Sequence, residues 1–264
     1  MGSEQTGSLR RAMAIMRVLA NVDARGAGLT DIAQQAHLPH PTVHRLLAQM
    51  IEEGMVRRVE GERRYALGAV AFELGLAAAR QLEVRQLYRP IITRLARDSG
   101  DTAYLIVRSG LEAVCVDRRQ GASPVQVITL KIGSRRPLGV GAGGLALLAA
   151  LPDDERDEVI RGVADDLAAD WQTPESELRE LVERIHRDGY TLIHNRVFQG
   201  VSALGQAIRD PAGRPVAAVS VATINQRMRP SRVRELNDYL LRAVHAAQTT
   251  ISATALSAAG DNLD

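Results

Sequence analysis

The span that most restricts the fold lies near the N-terminus, where an amphipathic helix opens on proline, closes on glycine and runs straight into a basic hairpin. Val43, Leu46, Leu47, Met50 and Ile51 recur at i, i+3, i+4, i+7 and i+8, the spacing that gathers one apolar stripe on an α-helix. Pro41 suits a first helical position, whose N–H has no acceptor anyway, and Gly54 suits the left-handed residue after a helix. Upstream, Leu9, Ala12, Met13, Met16, Leu19 and Ala20 keep the same period until Gly26 and Gly28 end it. Thr30 then reads as the N-cap of a short helix over 31–36, joined by a tight turn over 37–40 to the helix after Pro41. Two β-like runs follow at 55–59 and 63–67, parted by Glu60, Gly61 and Glu62. Three helices with a tight second turn and a trailing hairpin predict a winged helix-turn-helix over residues 8–68.

The non-apolar face of the third helix carries Thr42, His44 and Arg45, with Gln49 a turn further on, and Thr30 and His40 flank its start. Such donors suit phosphates and base edges where a recognition helix enters a major groove. Arg57, Arg58, Arg63 and Arg64 sit on the hairpin arms, within reach of flanking phosphates. Overall charge adds nothing to this, because 33 basic residues nearly balance 31 acidic ones and Lys131 is the one lysine. The nucleic-acid argument rests on where the arginines sit. The same module used for protein contacts is the alternative, and salt dependence separates the two.

At these residues the run GLTDIAQQAHLPHPTVHRLLAQMIEEGMVRRVEGERRYALG resembles the DNA-binding half of the IclR family of bacterial transcriptional regulators. VDRRQG, SRRPLGVGAGGLALLAALP, RDGYTL and GVSALGQAIRDPAGRPVAAVSVA resemble its effector domain in the right order, so the likeness spans nearly the whole chain. The resemblance implies a DNA-binding partner in the form of a palindromic duplex operator, and a homodimer or dimer of dimers.

Residues 69–85 hold Val70, Phe72, Leu74, Leu76, Ala77, Ala78, Ala79 and Leu82, apolar almost all round. Such a linker helix needs cover on several sides, and its copy in another subunit is the simplest cover. From 86 to 257, helical runs at 86–98, 142–151, 152–168, 174–187 and 230–256 alternate with strand-like runs at 102–108, 112–118, 125–130, 190–195, 203–209 and 216–223. This predicts an α+β domain with a mostly antiparallel sheet, and residues 258–264 read as a disordered tail. The resemblance implies a GAF-like α/β effector-binding domain with a ligand pocket on one sheet face.

Gly139, Gly141 and Gly144 satisfy G-x-G-x-x-G and make an NAD(P)-dependent enzyme the rival from another class. Against it, LKIGSRRP is a poor Rossmann strand and no strand ending in an acid follows. The glycines still place free N–H groups at a helix start, which suits a carboxylate. Cys115, the one cysteine, reads as a buried thiol with no base beside it, and Trp171 as packing for a loop before a helix. With His37 and His40 read in the turn and His44 on the third helix, no histidine pair has metal-ligand spacing on a common helix face, so neither metal nor cofactor is expected. The longest apolar stretch, 138–151, is too short to span a bilayer, and a cytoplasmic location is expected.

The remaining site residues come from the resemblance. Relatives that bind keto acids place polar side chains, typically an Asp, a Cys and two Ser, around the carboxylate. The matching positions here are Ile193, Ala203, Ser220 and Ala222, of which Ser220 alone is polar. That favours a larger or more apolar organic acid, aromatic acids included, over glyoxylate or pyruvate, since unpaired oxygens cost about 1–3 kcal/mol each. Tyr104, Asp117, Leu138, Val140, Gly141, Ala142 and Gly143 complete the implied lining, with Asn195 at the rim.

Overall fold

A computed structural model describes residues 7–22, 25–82 and 84–260. The chain divides into two compact units, Met1–Glu83 and Val84–Asp264.

In the first unit, α1 (Ser8–Asn21), α2 (Leu29–Gln35) and α3 (His40–Glu52) close over a core of Ile15, Leu19, Ile32, Val43, Leu47 and Val56. The apolar stripe read from the sequence is the face that α3 buries: Val43, Leu46, Leu47 and Met50 all lie inside. The hairpin is β2 (Val56–Arg58) and β3 (Arg64–Leu67), paired antiparallel with Val56 opposite Leu67. A strand of two residues, β1 (Ala27–Gly28), adds to the far edge of β3, giving the order β1-β3-β2. Two residues carry no periodic signal, and this strand was invisible in the sequence. Thr30 is not the N-cap of α2. Gly28 is, its N–H donating to the Asp31 carboxylate at 3.3 Å, so Thr30 is an exposed second helical residue. Pro41 likewise stands second in α3, behind His40, with Pro39 at the cap.

The expected continuous helix over 69–85 is α4 (Ala69–Leu82) followed by the start of α5 (Val84–Ser99), with Glu83 outside the described residues. Phe72, Leu74 and Leu76 on α4 are exposed, Phe72 by 67%.

The second unit is a six-stranded antiparallel sheet between two helical layers. Its strands are β4 (Thr102–Ser109), β5 (Glu112–Arg119), β6 (Arg135–Pro137), β7 (Thr191–His194), β8 (Val201–Arg209) and β9 (Pro215–Ile224), in the order β6-β5-β4-β9-β8-β7. Strand alternation deals the side chains to two cores. Ala103 and Leu105 of β4, with Val219 and Val221 of β9, join α5 and α9 (Pro230–Gly260) through Ile92, Leu236 and Leu240. Tyr104, Ile106 and Ala222 turn the other way, toward α6 (Gly141–Ala150), α7 (Asp153–Trp171) and α8 (Glu175–Asp188). This is the α+β fold expected, with a GAF-like sheet and one helix laid across it.

Four expectations change here. Residues 125–130 form no strand, because their polar groups are taken by side chains. The Tyr104 hydroxyl donates to Val127 O at 2.8 Å and accepts the Thr129 N–H at 2.9 Å, while the Gln126 amide donates to Gly100, Gly121 and Ser123 carbonyls. The charged edge strand β6 went unread. Trp171 ends α7 rather than lying in a loop, and Gln172 follows it with a left-handed φ of 49°. Finally, α9 continues through Gly260, so 258–260 are helical, and 261–264 lie outside the described residues.

Candidate nucleic-acid interface and ligand pocket

The side of α3 away from the core presents His44, Arg45 and Gln49 to solvent, with His40 exposed at the helix start and Thr42 half-buried. Thr30 is exposed near the start of α2. Leu29, His44, Arg58, Glu62, Arg63 and Tyr65 line a shallow groove between α2, α3 and the wing. Arg45, Arg57 and Arg63 are exposed, and no acid pairs with them among the described residues. Arg58 lies 5.7 Å over the Tyr65 ring, an exposed cation–π contact that leaves its N–H groups available. Arg64 is the exception among the wing arginines. Its guanidinium donates to Gly26 O at 2.8 Å and Arg25 O at 3.0 Å and lies 3.6 Å from Glu62, so it ties β3 to the turn before β1. The hairpin signal located Arg64 but not the turn carbonyls that take its donors.

The larger unit encloses a cavity of about 40 Å³ between the start of α6 and the inner sheet face. Tyr104, Val140, Gly141, Ala142, Gly143, Ile193, Ala203, Ser220 and Ala222 line it, as the resemblance implied. Close approach explains the glycines. A Cβ on Gly143 would lie 2.6 Å from Ile106 Cγ1, and one on Gly205 would lie 2.8 Å from Ala142 O, so α6 can sit this near the strands only because both side chains are absent. The G-x-G-x-x-G run therefore seats a helix on an antiparallel sheet, behind a three-residue edge strand. It does not follow a strand of a parallel sheet, the setting that dinucleotide binding requires.

Three implied lining residues lie elsewhere. Leu138 is fully buried in the core. Asp117 is buried too, but its carboxylate accepts the Arg118 N–H at 2.9 Å and stands 3.4 Å from Arg119 Nη2. The Asn195 carboxamide accepts the Gly200 N–H at 2.8 Å and the Asn225 amide at 2.6 Å, closing the turn after β7 rather than rimming the cavity. In each case local partners were nearer than the ligand site. Sequence reasoning missed Ile106, Ala113, Thr129, Leu130, Arg136, Gly144, Val197 and Val201 in the lining. Ile106 follows Tyr104 at strand period and was within reach of that signal. Arg136 was not, because β6 shows no alternation.

Burial pushes the Cys115 thiol up to about 12, so it is no nucleophile near neutrality. Its Sγ donates to Asp117 O at 3.5 Å. Burial also holds the Arg136 guanidinium below its usual range. Among the described residues no cluster of His, Cys, Asp and Glu could hold a metal ion, and no helix is long and apolar enough to cross a membrane.

Comparison with known proteins agrees with both halves. Residues 8–60 match the IclR helix-turn-helix domain, and residues 76–253 match the C-terminal domain of bacterial transcriptional regulators of the IclR type. The transcriptional repressor IclR of Escherichia coli K12 is 29% identical over 243 residues, covering 90% of this chain and 88% of the repressor. The regulator KipR of Bacillus subtilis is 28% identical over 225 residues, covering 85% and 88%. Among solved structures, an IclR-type regulator from Silicibacter superposes with a TM-score of 0.76 at 22% identity over 93% of this chain and 96% of that one. An IclR homologue from Microbacterium hydrocarbonoxydans in complex with 4-hydroxybenzoate superposes with a TM-score of 0.70 at 24% identity, covering 94% and 100%. With a winged reading module, a sheet-backed pocket and matches spanning both, the chain belongs to the IclR family of DNA-binding transcriptional regulators.

Proposed function

We propose that this regulator binds a palindromic duplex operator as a homodimer or dimer of dimers, and that a small organic acid seated beneath α6 sets its operator affinity. One observation carries the DNA half: Arg45 on α3 and Arg57 and Arg63 on the wing stand in solvent without acid partners among the described residues. Guanidiniums left free in this way suit base edges and phosphates, and Arg45 with His44 is assigned to base edges. The wing arginines Arg57, Arg58 and Arg63 are assigned to phosphates. Phe72, Leu74 and Leu76, exposed on more than one side of α4, support self-association through that helix, since large apolar side chains left in water favour a protein partner.

The effector half is supported by the apolar cavity with its few polar groups and by the bound 4-hydroxybenzoate of a relative with this fold. Acid binding acts on DNA through the segment around α4, which a useful switch biases by about 1–3 kcal/mol of coupling. The reading makes the protein a cytoplasmic regulator rather than an enzyme. Footprinting of its own promoter with and without candidate acids tests it: a two-fold symmetric footprint whose strength changes with acid is expected, and weakens steeply with salt. Ala142→Trp fills the cavity and removes the acid response while effector-free footprinting persists. A footprint indifferent to salt, or an Ala142→Trp protein that still responds, contradicts the proposal.

A further inference from the structure

Arg136 enters the cavity from β6 and is the one charged side chain in its lining. One guanidinium N–H donates to Thr129 O at 2.6 Å. The group lies 5.4 Å from the Trp171 ring centroid and 5.9 Å from that of Phe198. Among the described residues no carboxylate pairs with it, whereas neighbouring Arg135 is held by Glu112 at 2.7 Å. A guanidinium offers five donors in a planar fork, so one carbonyl and two ring contacts leave most of them unfilled. Arg136 is half-buried, and a partly desolvated charge with no counter-charge gains from an anion that supplies one.

Two further sets of donors line the same space. The Ser220 hydroxyl is 6% exposed and has no hydrogen-bond partner among the described residues. The first N–H groups of α6, at Gly141, Ala142 and Gly143, lack intrahelical acceptors. The rest of the lining is apolar: Ile106, Val140, Ile193, Val197 and Val201 among others. About 40 Å³ holds a few waters or a carboxylate head, and a larger body needs Val197 and its turn to move outward.

We propose that Arg136 is the anchor for the ligand carboxylate and restricts this pocket to monocarboxylates with an uncharged, mainly apolar body. A bidentate guanidinium–carboxylate pair supplies the missing counter-charge. One cation in the lining matches one anionic group, so dicarboxylates and phosphate esters bring a second charge with nothing to meet it. This inference rests on the pocket being the effector site.

The test is calorimetry on the full chain with benzoate, phenylacetate and pyruvate and their matched carboxamides, at fixed ionic strength. Trp171, the one tryptophan in the sequence, reports directly because it lies against Arg136. At least one acid is expected to bind and to change Trp171 emission with the same saturation. Its amide binds at least about tenfold more weakly. Arg136→Met weakens the acid about tenfold or more and leaves the amide unchanged, and Arg136→Lys recovers part of the loss. Should Arg136→Met fail to fold, Arg136→Lys and the acid–amide contrast in the wild type carry the test. Absence of binding by every acid, an amide as tight as its acid, or wild-type acid affinity in Arg136→Met each overturns the proposal. Operator titration with the binding acid keeps the two readings apart. Acid binding without any change in operator affinity overturns acid regulation and leaves the anchor standing, whereas intact operator binding with no acid bound overturns the anchor alone.

Discussion

On the recognition helix and wing, Arg45, Arg57 and Arg63 stand in water with no acid partner among the described residues. In the larger unit a set of arginines, exposed and buried, is held by carboxylates: Arg135 by Glu112 at 2.7 Å, Arg179 by Asp157 at 2.6 Å, Arg196 by Glu177 at 2.6 Å, and Arg227 and Arg232 by buried Asp101 at 3.1 and 3.2 Å. One residue type thus does two jobs. Where a carboxylate already fills the fork, the arginine fastens one element to another. Where no carboxylate does, carbonyls fill the fork at Arg118 and Arg209, and by the proposals above it serves an outside anion at Arg45, Arg57 and Arg63 in one unit and at Arg136 in the other. The protonation equilibria follow the same division. Hydrogen bonds to Asp157 and Glu175 raise Arg179, whereas burial lowers Arg136.

The strongest way to break this division is to remove an acid from the held class. Asp101 is 1% exposed and also accepts the Thr223 hydroxyl at 2.8 Å. Asp101→Ala leaves Arg227 without a carboxylate among the described residues and Arg232 with Glu235 at 2.8 Å and the Ser99 carbonyl, and denaturant unfolding is expected to show a loss of about 3 kcal/mol, with operator affinity of the folded protein unchanged. A loss below about 1 kcal/mol would remove the structural role given to these pairs.

The free class behaves in the opposite way. Arg63→Ala is expected to weaken binding to every duplex sequence alike and to lower the salt slope by about one, with stability within about 0.5 kcal/mol of wild type. Arg64→Met sharpens the contrast one residue further on. Its donors are spent on Gly26 and Arg25 carbonyls, so about 1 kcal/mol of stability is lost and the salt slope stays where it was.

The smallest effect comes from acid titration of the exposed pairs. The Arg179 hydrogen bond holds the Asp157 carboxyl below its ordinary value of 3.8, and the Arg214 backbone N–H does the same for Asp210. A carboxyl depressed in the folded state adds stability above its unfolded pKa and loses it as pH falls through the folded value. Asp157→Asn should therefore lower the denaturant midpoint slightly at neutral pH and flatten its acid limb, the two proteins converging once pH falls below the folded value.

How far the sequence could be read depended on period. Val43, Leu46, Leu47 and Met50 repeat over a full helix, and α3 and its outward donors follow from them. Tyr104, Ala203, Ser220 and Ala222 lie on long strands with matching motifs, so their common face was within reach. Arg136 and β1 sit in segments of three and two residues, too short for any alternation to register. The run at 125–130 alternates well but loses its ladder to Tyr104 and Gln126, a competition that only tertiary structure decides. Asp117 and Asn195 have the right chemistry for a pocket, yet neighbouring backbone N–H groups claimed them first.

Arg45 tests most directly whether free arginines read DNA. Wild type and Arg45→Ala would be titrated by mobility shift against the operator and against unrelated duplex across a range of salt. The account predicts an operator affinity lower by about 1–3 kcal/mol for Arg45→Ala, with affinity for unrelated duplex nearly unchanged. Operator affinity equal to wild type would contradict the assignment of α3 as the helix that reads the bases.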